Sequence, residues 1–180
     1  MDIRPLFVAF LCWFVVALGR TSAAVTIYDD KDAYEVYSLL LPHEESYGVA
    51  TATLMIQEQT KPYLSVGTDL TREAWNKFKG AVADFNRLDK KNWLLQRRFQ
   101  IEKSYKLISS DVIKTLPDQP QSAAALVFMS PVGFNRDKTR AIVYMGSQCG
   151  GLCGSARFHL LEKVRGKWME VSGVVAISVS

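Results

Sequence analysis

Ala124-Ala125-Leu126-Val127-Phe128-Met129, stopped by Ser130-Pro131, opens the stretch whose reading decides the fold, Ala124 to Ile177. A continuous apolar run of this length fits a strand buried on both faces, or else a short buried helix. Gly133-Phe134-Asn135-Arg136-Asp137-Lys138 then supplies turn formers, because Asn and Asp side chains hydrogen-bond their own backbone. Arg140-Ala141-Ile142-Val143-Tyr144-Met145 is rich in β-branched and aromatic residues and reads as the returning strand. Four of the eleven glycines crowd into Gly146 to Gly154, where close backbone approach or positive φ is cheap. Ala156 to Lys163 alternates, with Ala156, Phe158 and Leu160 on one face and Arg157, His159 and Leu161 on the other. Arg165-Gly166 is a two-residue turn signal, and Lys167 to Ile177 completes a meander of hairpins.

Working outward, the N-terminus reads as a secretory signal peptide over residues 1–24. Arg4 precedes an uncharged, mostly apolar block from Pro5 to Leu18, and small residues at Ser22 and Ala24 suit cleavage after Ala24. The block is shorter than the roughly 20 apolar residues of a membrane span. Cys12 lacks the preceding small residue of a lipoprotein signal, so no lipid anchor is expected. Processing leaves 20 Lys and Arg against 17 Asp and Glu, a charge of about +3, too mild for a nucleic-acid binder. Residues 25–180 make one domain of ordinary size, able to bury its own core. The expected compartment is the periplasm or the exterior.

Helical spacing of Ala33, Tyr34, Val36, Tyr37, Leu40 and Leu41 predicts a first helix, with Asp32 and Glu35 as a capping box and Pro42 as its stop. Tyr47 to Glu58 alternates and predicts a half-buried strand. Thr71 caps the strongest helical pattern, Arg72 to about Leu88, whose stripe of Ala74, Trp75, Phe78, Ala81, Val82, Phe85 and Leu88 is expected to pack on the sheet. Phe99 to Leu107 suggests an extended segment, and Ser109 or Ser110 caps a short helix through Leu116. The predicted class is α+β: a mainly antiparallel sheet against one long amphipathic helix and one or two shorter ones.

Chemistry is harder to read. Without Cys12, the remaining cysteines are Cys149 and Cys153, a pair in an oxidising compartment. A structural disulfide is the leading reading; half a metal site, a redox pair and free thiols are the alternatives. Redox pairs use Cys-x-x-Cys at a helix start, whereas here the spacing is one longer and the context is glycine turn. Zinc needs four ligands, and the other soft candidates are His43 and His159. His43-Glu44-Glu45 reads as an exposed polar loop. His159 lies mid-strand on the expected less-buried face, where with Arg157 it is a candidate for an anion-binding surface; Tyr144 joins the two as a candidate ligand-binding residue. Lys90, Lys91, Arg97 and Arg98 around Trp93 interleave cations with an aromatic, a pattern that can hold a nucleic-acid or phospholipid backbone, but read as a solvated helix-to-strand connection. There is no Gly-x-Ser-x-Gly elbow, P-loop or dinucleotide fingerprint.

Ser130-Pro131-Val132-Gly133-Phe134-Asn135, then Ala141-Ile142-Val143-Tyr144, Cys149-Gly150-Gly151-Leu152-Cys153-Gly154, Leu160-Leu161-Glu162-Lys163 and Gly166-Lys167-Trp168 together resemble a pattern in secreted bacterial proteins of no established function. The resemblance covers the C-terminal third, with a weaker echo at Gln59-Thr60 and Trp93-Leu94-Leu95. It implies export and an α+β domain, and brings no activity. The expected role is non-catalytic binding or structural service in the periplasm or envelope, with an unidentified protein or small-molecule partner, no nucleic acid, no cofactor, no metal and no membrane span after cleavage. The alternative is a secreted hydrolase with a site assembled from dispersed residues.

Overall fold

The computed structural model of the chain describes residues 26–44, 53–62, 70–115, 125–148, 154–171 and, by backbone alone, 177–179. The predicted signal peptide and both retained cysteines lie outside these residues.

The C-terminal strands form the sheet as expected. β5 (Leu126–Met129), β7 (Arg140–Gln148) and β8 (Gly154–Val164) pair antiparallel with one another in that order, and β9 (Lys167–Glu170) folds back on β8. Arg165 and Gly166 both take positive φ, 51° and 80°, as the two-residue turn requires. A short β6 (Gly133–Phe134) also pairs with β7, and β10 (Ile177–Val179) pairs with the other end of β8. The remaining strands are β1 (Thr26–Ile27), β2 (Thr53–Gln57), β3 (Trp93–Leu94) and β4 (Ser104–Ile108). The main sheet runs β10-β8-β7-β5-β2-β4. β2 is parallel to both β4 and β5, so the sheet is mixed; β1 and β3 form a separate parallel pair.

Three α-helices accompany the strands: α1 (Lys31–Leu40), α2 (Arg72–Leu88) and α3 (Ser110–Thr115). The expected long helix is α2, and at 17 residues it falls within the ordinary globular range rather than being long. Thr71 Oγ1 accepts the Ala74 amide at 3.2 Å, closing its first turn. The cap of α1 is Asp30 rather than the expected Asp32: its carboxylate accepts the amides of Asp32 and Ala33. A single 3₁₀ turn, Leu41–His43, carries Pro42 and ends the helix. Among the described residues no helix is long and apolar enough to cross a membrane.

The sheet is covered by helices on both faces, and this explains why every residue of β7 from Ala141 to Ser147 is buried. Alternate residues serve the two layers. Val127, Met129, Ala141, Val143, Met145 and Leu161 meet the α1 side, with Tyr34, Tyr37 and Leu40. Phe128, Ile142, Tyr144, Ala156, Phe158 and Leu160 meet Phe78, Ala81, Val82 and Phe85 of α2. Trp75, expected in the α2 stripe, is 38 % exposed, because its turn of the helix puts it at the stripe's border. Gly133 lets α2 lie close: a Cβ there would stand 2.4 Å from Ala81 O and Phe85 N.

Candidate functional site

The corner where α1 begins and α2 ends carries the most concentrated polar chemistry. It is built around the Ser130–Asn135 segment, which must satisfy its backbone after β5 breaks off at a proline. Tyr28 and Tyr37 reach across to do so. Tyr28 Oη accepts the Val132 amide at 2.8 Å, and Tyr37 Oη donates to Ser130 O at 2.7 Å. Ser130 Oγ in turn accepts the Tyr144 amide at 2.9 Å. On the α2 side, Asp84 Oδ2 accepts the Phe134 amide at 3.0 Å. Asn135 Oδ1 accepts the amides of Thr139 and Arg140, each at 2.8 Å, and so folds the turn that follows. Burial pushes the Tyr28 and Tyr37 phenols well above their ordinary range, so both remain neutral hydrogen-bonding groups.

That turn leaves Lys138 at φ 49°, a left-handed conformation that costs a non-glycine residue of order 1 kcal/mol or more. The ammonium it aims is held by three contacts: 3.0 Å to each oxygen of Asp30 and 3.2 Å to Asp32 Oδ2. Lys163 from β8 adds a 2.6 Å bond to the other oxygen of Asp32. Partial burial works to raise the Asp32 carboxyl, but the Lys163 and Lys138 ammonium groups outweigh it and hold the group below its usual range. Burial likewise works to lower Lys138, and Asp30 and Asp32 overcome it, raising the group. A second cluster, on the α2 side, holds Glu162 low through Lys77, at 3.0 Å, against a smaller effect of burial and with further help from Arg140.

A cleft of about 430 Å³ opens beside this network, a volume suited to a small molecule. Tyr28, Leu88, Trp93 and Phe134 give it apolar walls; Asp29, Asp30, Asp84, Arg87, Asn135, Arg136 and Lys138 give it a charged rim. Trp93 is fixed by donating Nε1–H to Leu88 O at 2.9 Å. Most rim charges are already committed: Asp29 to Arg98, Asp30 to Lys138, and Asp84 to Arg87 at 2.6 Å. Arg136 is exposed at the rim and pairs with none of the described residues.

Of the three residues proposed from the sequence for ligand binding, Arg157 and His159 share one face of β8 and Tyr144 lies apart. Tyr144 points into the α2 layer against Phe158, at 5.1 Å between rings, whereas Arg157 and His159 belong to the opposite face of β8. Nor is His159 on a less-buried face: its side chain is fully buried. Nδ1 is 2.7 Å from Glu170 Oε1 of β9, and Nε2 faces Glu44 Oε1 at 3.2 Å, off the line of a hydrogen bond. Arg157 reaches the same Glu44 oxygen at 3.4 Å. Glu44, expected in an exposed loop, is only 5 % exposed, because the 3₁₀ turn at Pro42 tucks it beneath β8. Among the described residues no three His, Cys, Asp or Glu side chains converge as metal ligands.

The cleft was missed in the sequence because its parts come from four separate segments. One signal was present: Asn135-Arg136-Asp137-Lys138 is a turn in which a long cation falls where Gly or Asn is usual. Compared with known protein families, characterised proteins and solved structures, the chain has no match.

Proposed function

We propose that this is a non-catalytic binding protein working outside the cytoplasm, which seats a small ligand bearing an anionic group in the cleft between α1 and α2. The observation that carries the reading is the contrast at the rim, where three carboxylates are each matched to a cation and Arg136 is left over. A guanidinium with no internal partner offers two parallel donors to a carboxylate or phosphate. The half-buried Trp93 beside it gives an apolar part of the ligand a flat wall.

The surroundings of the ionisable groups favour binding over catalysis. General acids and bases work best with pKa values brought near the operating pH. Here the displaced groups move the other way: Asp32 and Glu162 downward, Lys138, Tyr28, Tyr34 and Tyr37 upward. They are charges locked by partners, or phenols kept neutral by burial. His159, the imidazole nearest to carboxylates, is sealed from any substrate. These points weigh against the hydrolase alternative.

Native mass spectrometry of the protein recovered from the exported fraction of an expressing bacterium tests this. A bound small molecule should accompany the wild-type chain, beginning at or near Val25, and be absent from Arg136→Glu. Turnover of ester or phosphoester substrates that disappears with changes at the cleft would replace this reading with the hydrolase.

A further inference from the structure

Between Arg87 and Lys106 the chain carries seven cations and two acids, a surplus larger than the net +4 of the whole protein. The fold turns this stretch into a line. Five aromatic rings form a continuous ladder: Trp93 to Tyr28 at 5.7 Å, Tyr28 to Tyr34 at 6.4 Å, Tyr34 to Phe99 at 5.3 Å and Phe99 to Tyr105 at 5.3 Å. Cations stand along it. Lys91 Nζ sits 4.0 Å from the Trp93 ring, Arg98 lies over Tyr34 at 5.1 Å, and Arg97 lies over Tyr105 at 5.8 Å. Lys90, Lys91, Arg97 and Arg98 are all exposed, whereas Lys106 follows Tyr105 on β4 and faces the other side of that strand. Asp29 engages Arg98 alone, and Glu102 is the exposed acid within the stretch. Ring contacts fix the spacing of Lys91, Arg97 and Arg98, so this part of the strip is preorganised.

The geometry points to this strip as a docking face for an anionic phospholipid surface. Charge complementarity is the first argument: clustered Lys and Arg are drawn to anionic headgroups. The second is where the chain enters the domain. Thr26 in β1 stands opposite Trp93 in β3, at the Lys91 end of the ladder. Seven residues separate Thr26 from the apolar block that ends at Leu18. Such a connection reaches at most about 25–30 Å. In the chain before cleavage, while that block occupies a bilayer, the Lys91 end of the strip is therefore held within that distance of its surface. In the uncleaved chain, an apolar segment and a basic patch together are the two signals that make membrane attachment firm.

Vesicle co-sedimentation of the full chain tests this, using phosphatidylcholine alone and a three-to-one mixture with phosphatidylglycerol, at low and high salt. The apolar block contributes equally to both lipids; the strip is read from the increment that phosphatidylglycerol adds. That increment should be at least about tenfold in partitioning at low salt and should collapse at high salt. It should be lost in Lys90→Glu/Lys91→Glu/Arg97→Glu, whose melting must match the parent, and be kept in Arg72→Glu/Lys79→Glu/Lys167→Glu, an equal charge change elsewhere. The proposal is overturned if phosphatidylglycerol adds nothing, or if both triple variants lose the increment alike. It is also overturned if the strip variant loses binding to single-stranded polythymidylate while keeping its lipid increment.

Discussion

Glu44 Oε1 and His159 Nε2 face each other at 3.2 Å beneath the sheet, with both side chains withdrawn from water. Removing one member of such a pair strands the other in a medium that solvates it poorly. Glu44→Leu should therefore cost about 3–5 kcal/mol in urea denaturation, whereas Arg157, half-exposed, can turn to solvent. Glu44→Leu/His159→Leu should cost clearly less than the two single changes added together. Additivity of the singles to within about 0.5 kcal/mol would show that the two groups do not interact.

Phe78 and Trp75 lie on one helix three residues apart and differ sharply in burial, 1 % against 38 % exposed. Phe78→Ala should cost about 3–5 kcal/mol, while Trp75→Ala, at the border of the packed stripe, should cost less than half as much. Equal losses of melting temperature in the two variants would mean that Trp75 is covered in solution, by a partner or by another copy of the chain.

The strands were legible from sequence where local pattern and pairing coincide. β5, β7, β8 and β9 follow one another through short turns, so alternation and Arg165-Gly166 suffice to place them. Parallel pairing of β2 with β4 and β5 was not legible, because its partners are separated by α2 and other long connections. The same distance hid the second helix layer: a strand buried on both faces reads as apolar throughout, but nothing in it says which helix covers each side. His159 was misjudged for a related reason. The alternation of β8 put it correctly opposite Phe158 and Leu160, yet whether that face is wet depends on Glu44 and Glu170, which are remote in sequence from one another.

Stability should be bounded at both ends of the pH scale. Asp32 and Glu162 have folded-state values below their unfolded ones. Their contribution is complete above the unfolded carboxylate value, about 4, and is lost as pH falls through the lowered folded value. Lys138, Tyr28 and Tyr37 are raised, so their contribution is complete below about pH 10 and is lost as pH rises through the folded values. Urea midpoints should form a plateau from about pH 5 to pH 9 and fall on either side. Lys138→Met should flatten the acid limb, since Asp32 then keeps only Lys163. A stability that goes on rising above pH 10 would contradict the assignment.

The closing prediction concerns Cys149 and Cys153, which lie outside the described residues. Gln148 stands opposite Gly154 as the last pair of the β7–β8 ladder, and the two cysteines are the next residue along the chain from each. Directly opposed residues in an antiparallel pair have Cα atoms about 4.5–5.5 Å apart, and a disulfide accepts about 4.4–6.8 Å. The ladder therefore delivers the two chains at a separation a disulfide can use. Alkylation of the unreduced protein should label neither thiol. The loop is small, so chain entropy yields only about 2 kcal/mol, less any strain. Cys149→Ser/Cys153→Ser should accordingly fold, melt somewhat lower, and keep its ligand. Loss of ligand at unchanged stability, or ready labelling of both thiols, would move the loop from a structural to a functional role.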